Sequence, residues 1–220
     1  MLIDNTFFTG LMLVANTNEP DPNDRTADVL TDLINVCEEE VLSYAFGAVM
    51  WEDFKQNYLT DEAYQEIMNG KTYTKDGKTF VWKGLVDYDM KRSLLVDYVY
   101  AAYHTNNVTQ QTEFGQVAAD TKIGRKASST PKITKAWNSF LEQFQGGYYL
   151  NGADGLTPEG NPYWIVPRRL GNGFGISYFP GQSKSGYVSL LKFLKDHKED
   201  LPLLDNQVHA GFHFKNSFGI

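Results

Sequence analysis

Residues Ser93–Gly115 read SLLVDYVYAAYHTNNVTQQTEFG, and the change of character inside this stretch decides how the chain is divided. Leu95, Val99, Ala102 and Tyr103 share one face at helical spacing, while Leu94, Tyr98 and Ala101 widen it. The predicted helix is therefore apolar around most of its circumference, apart from Asp97, and belongs at the centre of a core. From Asn106 the chain turns to amides and hydroxyls, which predicts an extended polar arm running to about Lys126.

Upstream, NTNEPDPND is a linker rich in turn formers, and beyond it Val29, Leu33, Val36, Cys37, Leu42, Ala45, Ala48 and Val49 recur at helical spacing. Asn23 or Asp24 is the predicted cap of this long helix. Gly47 bends or breaks it, and Met50, Trp51 and Phe54 continue its pattern toward Tyr58. Thr60 caps a short helix that Gly70 closes. TYTKDGKTFVW, from Thr72 to Trp82, alternates on both sides of Asp76-Gly77, which is a strong hairpin signal.

Downstream of the arm, Thr130 and Pro131 open a helix in which Ile133, Ala136, Trp137, Phe140, Leu141 and Phe144 keep period before Gly146 and Gly147. From Gly146 to Gly186 glycine, proline and tyrosine dominate, and strands or loops replace helices. One more helix, Ser185 to about His197, turns Val188, Leu191 and Leu194 inward. The tail QVHAGFHFK alternates as a half-buried strand.

The 220 residues are 42% hydrophobic and 14% aromatic, enough for one large core or two small ones. A formal charge of -7, with no cluster of Lys and Arg, argues against a general nucleic-acid binder. The lone cysteine, Cys37, lies in an apolar helical pattern and reads as a core thiol. Phe7–Ala15, FFTGLMLVA, has the length of a signal-peptide core but follows Asp4 and no basic residue, and it is too short for a bilayer. The expectation is a soluble chain that stays in a cytoplasm. Phe7, Phe8 and Leu11 to Leu13 are then expected to be covered only on assembly with a partner.

No catalytic template fits. His209 and His213 lie about 13 Å apart on a strand, too far for one metal. Gly171, Gly173 and Gly175 miss the GxGxxG spacing and read as a glycine-rich hairpin, with Arg168 and Arg169 beside it able to hold an anion or a neighbouring chain's carboxylate. Glu38, Glu39 and Glu40 point in different directions and read as a solvated face. No catalytic residue, metal site or cofactor is predicted, and the chain reads as a structural protein rather than an enzyme.

The order of parts, DLINVCEEEVLSYAFG, then KGLVDYDMKRSLLVDYVYAAYHTNNVTQQTEFGQV, then PKITKAWNSFLEQF, resembles the head-to-tail connector (adaptor or neck-ring) proteins of tailed bacteriophages. The likeness is to the branch in phages of Bacteroides-like hosts, including the crAss-like group, and covers roughly Met1 to Gly147. It implies a virion protein assembled in the host cytoplasm as a twelve-fold ring of its own copies. The ring would dock on the portal protein, touch neighbouring neck or tail proteins, and let DNA pass without specific binding; no membrane is involved.

The fold expected is mainly α with added β. Residues 1–147 form a helical connector core with the hairpin at about 72–82 and the arm at about 106–126; residues 148–220 form an α+β C-terminal elaboration. Candidate subunit or portal contacts are Phe7, Phe8, Asn106, Asn107, Thr109, Gln110, Gln111, Thr112, Phe114, Arg168 and Arg169. Another neck or tail-completion protein is the nearest alternative. A carbohydrate-binding module, suggested by Tyr148, Tyr149, Tyr163 and Trp164, is the alternative from a different class.

Overall fold

The structure, a computed structural model, describes residues 1–14, 17, 26–106, 110–112, 115–117, 130–146, 167–170, 173–176 and 187–205. Its helices are α1 (Thr26–Phe46), α2 (Ala48–Asn57), α3 (Glu62–Asn69), α4 (Leu94–Asn106), α5 (Thr130–Phe144) and α6 (Leu190–Asp196). The strands are β1 (Lys71–Lys75), β2 (Lys78–Trp82), β3 (Val86–Asp87), β4 (Arg92–Ser93), β5 (Gln110–Thr112), β6 (Gly115–Val117), β7 (Pro167–Leu170) and β8 (Gly173–Ile176). They pair consecutively into two-stranded antiparallel ribbons, so the described chain is mainly helical with added β structure. The predicted caps Asn23 and Asp24 and the tail strand carrying His209 and His213 lie outside the described residues.

The chain divides into two compact units. The first is drawn from Met1–Val41 and Val86–Phe140. Its centre is α4, whose residues from Leu94 to Ala101 are all buried. Tyr98 meets Trp137 and Phe140 of α5 at ring-centroid distances of 5.6 and 4.8 Å. Asp97, the one charge of this helix, is buried as well and accepts a 2.7 Å hydrogen bond from Ser139 Oγ. A carboxylate can leave water when such donors meet it.

The α1 face that enters this core is Leu30, Ile34, Cys37, Glu38 and Val41. Val29 and Val36, expected inward, are 51% and 62% exposed. The helix carries two apolar stripes about 100° apart or more, and only one of them can face the core. Glu38, expected to be solvated, accepts hydrogen bonds on one carboxylate oxygen from the backbone N–H groups of Leu2 (2.8 Å) and Ile3 (3.0 Å). Burial is the largest influence on it and holds its carboxyl above the ordinary range, even though those two N–H groups pull it down.

Cys37 on the same face is buried, and burial, helped by the charges of Glu40 and Glu38, pushes its thiol up to about 12. At pH 8 that leaves a thiolate fraction of roughly one in ten thousand. Native protein is therefore expected to resist a soluble disulfide reagent until it is unfolded in urea. Stoichiometric labelling within minutes in native buffer would contradict this placement.

The second unit comprises the described residues of Leu42–Leu85 and Leu141–His213. Gly47 ends α1 with φ +81°, and a side chain there would sit 2.5 Å from Asp205 Cβ, so both the break and the close packing need glycine. Across the break, Phe54 of α2 gathers Phe46 (5.1 Å), Trp51 (6.0 Å), Tyr58 (5.7 Å) and Tyr64 (5.2 Å) into one aromatic cluster. The cap of α3 is Asp61, which accepts from Tyr64 N–H, rather than Thr60 one residue earlier. A carboxylate makes the stronger charge-assisted bond to that N–H and also suits the positive end of the helix dipole.

β1 and β2 pair in the register Lys71↔Trp82 to Lys75↔Lys78, with Asp76 and Gly77 at φ +51° and +72° forming the tight turn expected. Trp82 Nε1 donates to Ile67 O at 2.9 Å and fixes the hairpin to α3. Residues 187–205 belong to this unit: Val188 N–H donates to Val81 O at 3.0 Å, and Phe193 of α6 stacks on Trp82 at 5.7 Å. Ser189 caps α6, which is shorter than the Ser185 start expected.

Candidate functional site

The candidate contact residues fall into three groups. Phe7 and Phe8 are already buried within the first unit, which corrects the expectation that they wait for a partner. Phe7 packs edge-on against Tyr88 at 6.0 Å, and Lys91 Nζ lies 4.8 Å from its ring centre. Burying such a ring at home stabilises the unit by about 1.5–3 kcal/mol, so there is no reason to leave it in water. Leu11 and Leu13 from the same segment stay exposed, at 75% and 56%.

The second group is the arm. Asn106 is the last residue of α4, so the helix runs past the expected start of the arm. Gln110, Gln111 and Thr112 form β5, which turns back on β6 in the register Gln110↔Val117, Gln111↔Gln116 and Thr112↔Gly115. An arm extended throughout is therefore corrected to two paired strands, Gln110–Thr112 and Gly115–Val117. Pairing with itself satisfies backbone groups that a single extended strand would leave open. Asn107, Thr109 and Phe114 lie outside the described residues.

Arg168 and Arg169, the third group, sit on β7 opposite Gly175 and Phe174 of β8, in the glycine-rich hairpin expected. Nothing further is described of their side chains. Tyr148, Tyr149, Tyr163 and Trp164 lie outside the described residues.

A polar cluster that the sequence reading did not single out joins β1 to α6 in the second unit. Asp196 Oδ2 accepts from Tyr73 Oη at 2.7 Å and from the buried ammonium of Lys192, while Lys75 Nζ lies 3.3 Å from Oδ1. Burial pushes the Asp196 carboxyl up, but the bonds from Lys192 and Tyr73 and the charges of Lys192 and Lys75 outweigh it and hold it below the ordinary range. Lys192 Nζ also lies 4.7 Å from the Phe80 ring centre, which eases its removal from water. The His197 ring fits between Tyr73 and Phe193, with Nδ1 3.0 Å from Phe193 O, so that nitrogen carries the proton.

An open cleft of about 500 Å³ borders this cluster, with Lys71, Lys75, Lys195 and Lys198 among its lining residues. Lys71 is paired with Glu66 at 2.5 Å and Lys75 with Asp196, while Glu199 and Asp200 offset the remaining lysines. Both carboxylate oxygens already have partners within the unit, and the cleft concentrates no single charge. This arrangement can staple a hairpin to a helix. Among the described residues no group of three His, Cys, Asp or Glu could hold a metal ion, and no described helix is long and apolar enough to cross a membrane.

Comparison with known protein families, with curated proteins and with solved structures found no match.

Proposed function

We propose that the chain is a structural subunit of the head-to-tail connector of a tailed phage. In this reading its copies form a ring that docks on the portal protein and carries the DNA channel toward the tail. The observation that carries the reading is the junction at α4. A helix buried from Leu94 to Ala101 anchors a polar segment whose β5–β6 ribbon pairs with no further strand among the described residues, so within them each strand keeps an outer edge. Open edges with amide side chains are what a neighbouring chain adds to, and the segment is uncharged from Asn106 to Thr112.

The net charge of -7 suits a channel wall, since an acidic bore repels DNA and lets it slide. The resemblance of the first 147 residues to connector proteins supports the same role, with the finished virion as its location.

Removing Asn107–Gln116 tests the assignment. The shortened chain is expected to keep its helical circular dichroism and to lose ring formation or portal binding. Rings of normal size that still bind the portal would contradict it.

A further inference from the structure

The exposed side of α1 carries two parallel stripes. Asp28, Asp32, Asn35 and Glu39, spaced i, i+4, i+7 and i+11, are all exposed. Beside them run Val29, Leu33 and Val36, of which the two valines are exposed. This face is thus acidic and apolar and carries no Lys or Arg. No described residue pairs with Asp28, Asp32 or Glu39.

The first turns of α5, in the same unit, present the opposite pattern: Pro131, Lys132 and Lys135 are exposed, and neither lysine has a partner among the described residues. Lys132 and Lys135 are about 4.5 Å apart along their helix axis and Asp28 and Asp32 about 6 Å, so two lysines can meet two aspartates without either helix bending. Lysine stems are apolar along most of their length and can lie on a valine stripe while their ammonium ends reach the carboxylates.

We infer that the α1 face of one copy receives the α5 face of the next. A second copy fits better than an unrelated partner because the chain as a whole is acidic, so copies repel unless a local basic patch meets a local acidic one, and both patches are present and unpaired among the described residues. The two patches differ, so the contact is head-to-tail, the type that builds a closed ring when its rotation closes. The pairing deepens the connector reading and rests on it for ring closure.

Charge reversal tests it in the full-length chain. D28K/D32K and K132E/K135E are each expected to weaken self-association roughly tenfold or more, read as a fall in mass by sedimentation, with circular dichroism unchanged. Mixing the two variants should restore assembly, because the lysines placed on α1 of one then face the glutamates placed on α5 of the other. An oligomer whose mass neither reversal changes, or a loss that mixing does not repair, overturns the pairing and leaves the ring reading standing. A wild-type chain that stays monomeric both alone and with the portal overturns the two together.

Discussion

Replacing Asp196 with alanine is expected to destabilise the second unit by about 3–5 kcal/mol, because it removes the carboxylate to which the buried Lys192 ammonium is bonded. Lys192 and Asp196 have side chains only 2% and 5% exposed, so solvent cannot take over the lost interaction. Tyr73 Oη would lose that acceptor in the same step, and Lys75 would lose the carboxylate while keeping its 3.1 Å bond to the main-chain oxygen of residue 196. A K192M/D196L double variant should recover much of the loss, since buried ion pairs can be exchanged for apolar side chains of similar volume at little cost. Urea midpoints of wild type and the two variants measure this. A D196A midpoint equal to that of wild type would contradict the staple.

The same group sets a pH dependence. The folded carboxyl lies below its ordinary value of 3.8, so the unfolded chain binds more protons in that window and stability decreases as the pH is lowered. The contribution of Asp196 is complete above that value and is lost as pH drops through the folded one.

The second large effect is at Glu38. Truncation to alanine leaves the Leu2 and Ile3 N–H groups without an acceptor, at about 1–3 kcal/mol for each donor that stays buried. Glutamine differs, because both N–H groups bond one oxygen that glutamine keeps. E38A is therefore expected to lose roughly 2 kcal/mol or more while E38Q stays near wild type. The pH sign is opposite to that of Asp196: the folded Glu38 carboxyl lies above its ordinary value of 4.5, so the folded state binds more protons. Its contribution is complete below that value and is lost as pH rises through the folded one. E38Q should remove this slope, and a slope that persists in E38Q would assign it to another group.

The punctuation of the chain was legible in the residues themselves. Gly47, Asp76-Gly77, Pro131 and Gly146 each act through their own backbone preferences, and the breaks, turn and helix ends fall where those preferences put them. The apolar period of α5 was legible for a related reason, since few of its turns offer a second apolar face, and α4 is apolar nearly all round, so no choice of face arises there. On α1 two apolar stripes compete, and the choice of Leu30, Ile34 and Val41 over Val29 and Val36 depends on what packs against the helix.

The buried charges were hidden because their partners are distant in sequence. Glu38 is held by residues 36 and 35 positions away, Asp97 by one 42 away and Asp196 by Tyr73 at 123. The i,i+4 spacing of Lys192 and Asp196 was the one local hint, and that spacing on its own describes many exposed pairs. The arm was legible as polar and not as a ribbon, since the sequence between Thr112 and Gly115 carries none of the usual hairpin pairs such as Asn-Gly or Asp-Gly.

The central claim is that this chain works as an assembled subunit. Negative-stain electron microscopy of the purified full-length chain, alone and mixed with the portal protein of the same phage, tests it most directly. The account predicts closed rings, either free or seated on the portal. Single particles of monomer size in both samples, with no density added to the portal, would contradict it.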